Sequence, residues 1–167
     1  MNSFQAHITV ATVVEHEGRL LFVRETQNGE AVINQPAGHA EFGEDLMQAA
    51  YRETLEETAW RVEITGLLGW YIFQPYKGAG VYYRTCFIAE PRGHDPHQKL
   101  DTGILEALWL TPEELAQRRA AWTAPEDPYQ RGFGKMYMAH VSQAHEGCDF
   151  DFLQTAAGAP VPEPKIF

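Results

Sequence analysis

Residues 38–60, GHAEFGEDLMQAAYRETLEETAW, constrain this chain more than any other stretch. Their centre is Arg52-Glu53-Thr54-Leu55-Glu56-Glu57. In a helix, at ~100° per residue, Glu57 falls about 40° to one side of Glu53 and Glu56 about 60° to the other. Three carboxylates then share one face, and like charges at these spacings cost roughly 0.2–0.5 kcal/mol per pair. Arg52, i,i+4 from Glu56, is the single basic residue between Glu44 and Trp60. It is expected to pair with one member of the set. A hard divalent cation such as Mg²⁺ would offset the rest, because it is held by a few carboxylates together with substrate phosphates. Taken alone, such a charge run reads as a solvated surface. The residues in front of it shift the balance toward metal chemistry.

Gly38, five residues, Glu44, seven residues and then Arg52-Glu53-x-x-Glu56-Glu57 resemble the Nudix box, G-x5-E-x7-R-E-U-x-E-E-x-G-U, where U is bulky and apolar. Two positions depart. Thr54 stands where a bulky aliphatic residue is expected, and Ala59 replaces the glycine that ends the helix. Glycine suits that end because it accepts a left-handed backbone. Alanine pays about 1–2 kcal/mol for the same conformation, so a different exit is expected here, with the helix running on to Trp60. No carboxylate is touched by either departure.

The resemblance implies an α/β fold: a Nudix-type α/β/α sandwich with a mixed β-sheet and the box as a loop–helix–loop. It also implies a Mg²⁺-dependent hydrolase, with Mn²⁺ able to substitute, in which water attacks phosphorus of a diphosphate. On this chain the Gly38 carbonyl, Glu53, Glu56 and Glu57 would surround the metal, with Glu53 alternatively the general base. Arg52 would orient Glu56, or form a plain surface ion pair. Glu44 would support the loop. Further resemblance lies in Asn34-Gln35-Pro36-Ala37-Gly38-His39 followed by Glu41 and Glu44, in His7-Ile8-Thr9-Val10-Ala11, and in Tyr83-Arg84-Thr85-Cys86-Phe87. These are similar to the NudJ-type phosphatases rather than the MutT type. That subgroup implies stepwise orthophosphate release from nucleoside di- and triphosphates, and hydrolysis of the thiamine-pathway pyrimidine pyrophosphate. It also implies a monomer or homodimer acting on a small phosphorylated molecule.

The net charge of −10 argues against a nucleic-acid polymer or an anionic membrane as partner, since either needs a basic surface. A polyanionic substrate must be met locally, by metal and a few cations. Cys86 and Cys148 have no metal-type spacing and do not suggest a disulfide scaffold. The start, MNSFQAHITVATVV, lacks a secretory signature, and no apolar run reaches the roughly 20 residues that span a bilayer. A reducing cytoplasm is the expected compartment.

Along the chain, strands are expected at 6–14 and 19–25 around a His16-Glu17-Gly18 turn, then at 31–34, 62–74 (interrupted at Gly66 or Gly69), 81–89 and 104–110. Residues 35–38 read as a loop, because Pro36 keeps Gln35 extended, and 91–101 as an exposed loop. The box helix is expected from Glu44 or Asp45 to Thr58, with Met47, Ala50, Tyr51, Thr54 and Thr58 facing the core. Thr111-Pro112-Glu113-Glu114 starts a second helix with a capping-box pattern, and a third is expected over 128–145. One domain, 1–146, and an extended or partly disordered tail, 147–167, complete the reading.

Further site candidates have two readings each. His39 follows Gly38 directly and either binds substrate or only hydrogen-bonds within its loop. Arg84 interrupts an apolar strand and either meets a substrate phosphate or faces solvent. Among the strand aromatics, Trp70 and Tyr83 are the candidates for stacking on a ring of the substrate, although strand aromatics are commonly core. Glu106, on the 104–110 strand, faces either the site, as an extra acid, or solvent.

Overall fold

The structure, a computed structural model, describes residues 5–27, 29–73 and 80–120. The elements in order are β1 (Ala6–His16), β2 (Arg19–Gln27), β3 (Glu30–Asn34), β4 (Ala37–His39), α1 (Leu46–Thr58), β5 (Trp60–Phe73), β6 (Val81–His94), β7 (Ile104–Leu110) and α2 (Pro112–Ala120). The expected third helix and the tail lie outside the described residues.

Strand β1 is apolar or β-branched on both faces from Ile8 to Val14 and is buried from Thr9 to Val14. A strand covered on both faces belongs in the middle of a sheet, and β1 pairs on one side with β6, parallel, and on the other with β4, antiparallel. β5 adds to β6 antiparallel and forms the edge. The second half of the sheet is antiparallel, with β2 between β3 and β7. The halves meet at the β1–β2 hairpin, where Glu17 and Gly18 take positive φ (51° and 74°), the pair a tight hairpin turn requires.

Alternation along β1 sends Val10 one way and Ala11 the other. Val10 and Phe87 pack under Ala49 and Ala50 of α1. Ala11, Val13 and Cys86 pack on the opposite side with Leu20, Phe22, Tyr71, Leu110 and Leu115 of α2. The two helices therefore cover opposite faces, as a layered α/β fold requires. Each of these fully buried side chains of Val, Leu or Phe size contributes roughly 1.5–3 kcal/mol.

Several expectations need correction. Ala37–His39 is a short strand rather than loop, and β6 continues through Pro91 to His94, taking in part of the expected exposed loop. The core side of α1 is Ala49, Ala50, Thr54, Glu57 and Thr58, whereas Met47 and Tyr51 are exposed. The helix does not run on to Trp60. Ala59 takes the left-handed conformation itself (φ 60°, ψ 13°), and its N–H closes on the Leu55 carbonyl. Thr54 has a reason to depart from an aliphatic. Its hydroxyl donates to the Ala50 carbonyl at 2.7 Å and meets the Thr12 hydroxyl at 2.7 Å in a buried contact. Thr12 must be the donor there, since the Thr54 proton is already used.

Candidate active site

Asp45 starts α1 by accepting from the N–H groups of Met47 and Gln48, while the Gln48 side chain accepts from the Asp45 N–H. This capping box fixes where the helix begins, and so which residues face β4. Glu53 and Glu57 both turn toward it. The Ala37 N–H donates to Glu57 at 2.9 Å. A Cβ on Gly38 would fall 2.1 Å from the Glu53 carboxyl carbon, so only glycine lets the strand lie this close to that carboxylate.

Arg52 does more than pair with one acid. Its guanidinium donates to Glu44 at 2.7 and 3.1 Å, Glu53 at 2.9 Å, Glu56 at 3.1 Å and the His39 carbonyl at 3.0 Å. Glu44 in turn accepts from the Glu41 N–H at 2.6 Å, which secures the loop between β4 and α1. These bonds hold the Glu44 carboxyl below its usual range, the Arg52 side-chain contact being the largest cause. Most of the repulsion expected among the acids is thus offset inside the chain.

Glu57 is the exception. It is buried, and the charges acting on it, Glu53, Glu25 and Asp101, are all acidic. Burial first, and those acids second, push its carboxyl up to about 8, against the opposing Ala37 hydrogen bond. Glu53 is also raised, chiefly by burial, with Arg52 working the other way. Among the described residues no three His, Cys, Asp or Glu form a group that could hold a metal ion as the side chains stand. Glu53 and Glu56 are both engaged by the Arg52 guanidinium, at 2.9 and 3.1 Å. The donor set is nonetheless all oxygen, and two of its carboxyls are raised by burial and neighbouring acids. That chemistry fits a hard divalent cation.

The four expected substrate residues do not converge. Register places His39, Thr9 and Arg84 in one row across β4, β1 and β6, hence on one face. Tyr83 precedes Arg84 and so points to the other face, in a row with Ile8 and Ile72. Trp70 lies on that same other face, its ring tilted against Tyr83 at 5.7 Å. Trp70 and Tyr83 therefore cannot share a ligand pocket with Arg84 and His39. Arg84 is 7% exposed and does not face solvent. His39 has its imidazole held below the usual range by burial, then by His7 and Arg84. Glu106 is taken by Arg24, in a half-exposed ion pair of 2.6 Å.

Sequence reading missed Glu25, Asp101, Gln35 and His7. Glu25 accepts from the Asn34 amide at 2.7 Å, and the Asp101 N–H donates to the Glu56 carbonyl at 3.0 Å. Gln35 is almost fully buried and its amide donates to Cys86 Sγ at 3.1 Å. His7 Nδ1 lies 3.1 Å from His39 Nε2. Contact between residues distant in the chain brings all four into place, and only Gln35 and His7, within segments that share the family resemblance, carried any signal.

Comparison with known proteins identifies the family and fold. The NUDIX domain family matches residues 4–131. Phosphatase NudJ of Escherichia coli K12 is 39% identical over 115 residues, covering 68% of this chain and 74% of that protein, and Phosphatase NudJ of Shigella flexneri matches equally. Among solved structures, a NUDIX hydrolase from Nitrosomonas europaea superposes with a TM-score of 0.74 at 32% identity, over 93% of this chain and all of that one. A MutT protein from Methanosarcina mazei, 20% identical with a TM-score of 0.60 over 86% of this chain and 99% of its own, shares the fold. With its box on a loop and helix against the mixed sheet, the chain belongs to the Nudix family and is a Nudix hydrolase.

Proposed function

We propose that the chain is a Mg²⁺-dependent phosphohydrolase of the NudJ type, with Mn²⁺ able to substitute. It cleaves phosphoanhydride bonds of nucleoside tri- and diphosphates and of the thiamine-pathway pyrimidine pyrophosphate. One observation carries this reading: Glu57 is a buried carboxyl among acids, raised to about 8, hydrogen-bonded to the residue before Gly38. A carboxyl so placed is costly unless a cation joins it.

Glu53, Glu56, Glu57 and the Gly38 carbonyl would hold the ion. When bound, the ion supplies Lewis acidity, making water nucleophilic at neutral pH and offsetting charge on phosphoryl oxygens. Glu53, raised by burial, would alternatively take the proton of the attacking water as general base, in place of binding the ion. Arg52 keeps Glu44, Glu56 and the His39 carbonyl in register. On the other side of β4, Arg84 and His39 receive substrate phosphoryl oxygens. The substrate is a small phosphorylated molecule, and the enzyme works in the cytoplasm as a monomer or homodimer.

The deciding experiment is a panel of nucleoside tri- and diphosphates, the pyrimidine pyrophosphate, nucleotide sugars and a pterin triphosphate, with Mg²⁺ and every product quantified. Orthophosphate from nucleoside diphosphates is the expected result. Nucleoside monophosphate plus a second phosphorylated product, with no orthophosphate, would replace this reading with a pyrophosphatase.

A further inference from the structure

The face that carries Arg84 holds a pair of imidazoles whose arrangement is more restrictive than a generic polar contact. The His7 ring lies flat on Tyr82, with centroids 4.5 Å apart and planes at 11°. Against its edge is Gly80, where a Cβ would come 2.4 Å from His7 Nε2. Ring plane and edge are both constrained, so His7 presents Nδ1 to His39 Nε2 in a fixed direction, at 3.1 Å. A contact of this length between two ring nitrogens has one proton in it, so one nitrogen donates and the other accepts. The His39 carbonyl is already anchored by Arg52 at 3.0 Å. Its backbone and one ring nitrogen are thus both tied, and Nδ1 is the ring atom left for a ligand among the described contacts.

We propose that His7 is a positioning residue: its Nδ1–H donates to His39 Nε2 and leaves the His39 ring proton on Nδ1, the atom that donates to a phosphoryl oxygen of the substrate. The hydrogen bond made at one ring nitrogen sets which tautomer the other presents. An anionic oxygen needs a donor, so the tautomer with a bare Nδ1 would repel it. A histidine side chain free in water prefers the proton on Nε2, so the proposed bond holds both His7 and His39 in the other tautomer, and its direction is what imidazole spectra decide. The inference rests on reading Arg84 and His39 as phosphate-binding groups, but its central claim concerns a proton position that exists without substrate.

Two variants test it. His7→Phe keeps an aromatic ring against Tyr82 and removes the nitrogen. His7→Asn places an amide where Nδ1 stands. Imidazole ¹⁵N spectra of the substrate-free protein, with the His39 signals assigned by their loss in His39→Gln, read the tautomer directly. The expected result is Nδ1–H in the parent chain and in His7→Asn, and Nε2–H in His7→Phe. With a substrate taken from the panel, His7→Phe is expected to lose about 10-fold in kcat/KM, mostly through KM, and His7→Asn to recover most of it. A parent His39 protonated on Nε2, or a tautomer that does not change in His7→Phe, overturns the proposal whatever the substrate proves to be. A correct tautomer switch with no change in KM leaves the positioning of His39 standing and overturns its contact with phosphate. Should His7→Phe fail to fold, the parent tautomer and His7→Asn still decide.

Discussion

Gly38 and His39 are neighbours on β4, yet they look out on chemically opposite surfaces. On the α1 side, Gly38 faces Glu53, within a cluster where Arg52 binds Glu44, Glu53 and Glu56. On the reverse side, His39 shares a row with Arg84 and touches His7. One surface gathers carboxylates and the other an arginine and two histidines, so under the proposed function the first would take the cation and the second the anion. A phosphorylated substrate bound across β4 would engage both. The separation matters because the chain carries a net charge of −10, whose overall field works against an anionic ligand. Under the proposed function, local sorting of charge on a single strand would counter that field at the binding face.

The comparison is broken most directly at Glu57. Glu57→Gln should retain the fold, judged by circular dichroism, and lose about 10²–10³-fold in kcat, the size of a lost electrostatic stabiliser; unchanged turnover at saturating Mg²⁺ would remove the acidic surface from the chemistry. Next is Arg84→Met, of similar length and uncharged. It should lower kcat/KM about 10–100-fold, the worth of a charge-assisted hydrogen bond, while metal affinity measured by titration calorimetry stays the same. A shift in metal affinity as well would show that the two surfaces are not separate.

A third effect is on stability. Glu57 titrates ordinarily near 4.5 and is raised to about 8 in the fold. Between those values the folded chain keeps a proton that the unfolded chain has released. Stability of the metal-free protein therefore falls as pH rises through that window, by at most roughly 5 kcal/mol from this residue alone at about 1.36 kcal/mol per pH unit. Denaturant melts from pH 5 to 8 should show the slope in the parent chain, less of it in Glu57→Gln, and its reversal on adding Mg²⁺. The smallest effect serves as a control on neither surface. Ala59→Gly should stabilise the chain by about 1 kcal/mol by relieving the left-handed alanine, raising Tm by a few degrees with kcat unchanged.

The same contrast explains what is legible in the sequence. Glu53, Glu56, Glu57 and Arg52 lie on one helix, where contact follows from spacing of three or four residues, so the acidic surface can be read from spacing alone. Strand positions, the β1–β2 turn and the α2 start are equally local, the last bearing reciprocal bonds between Thr111 and Glu114. Arg84, His39 and His7 are brought together by register among three strands far apart in the chain. A shift of one residue reverses the face of every side chain, which is why composition groups Trp70 and Tyr83 with Arg84 although they point away from it. The reach of Arg52 exceeds its expected single ion pair for a related reason: its contacts cross from the helix to Glu44 in the loop and to the His39 carbonyl on β4, beyond helical spacing.

The hydroxyl pair of Thr12 and Thr54 bears on how this enzyme could be re-engineered. Consensus design would exchange Thr54 for the aliphatic residue usual at that box position. That swap alone would strand the Thr12 hydroxyl in a dry interior, at a cost of about 1–3 kcal/mol. The two positions form a coupled unit, so a leucine at 54 should be introduced only together with valine at 12, and sequence libraries that vary one of them independently will mostly sample losers.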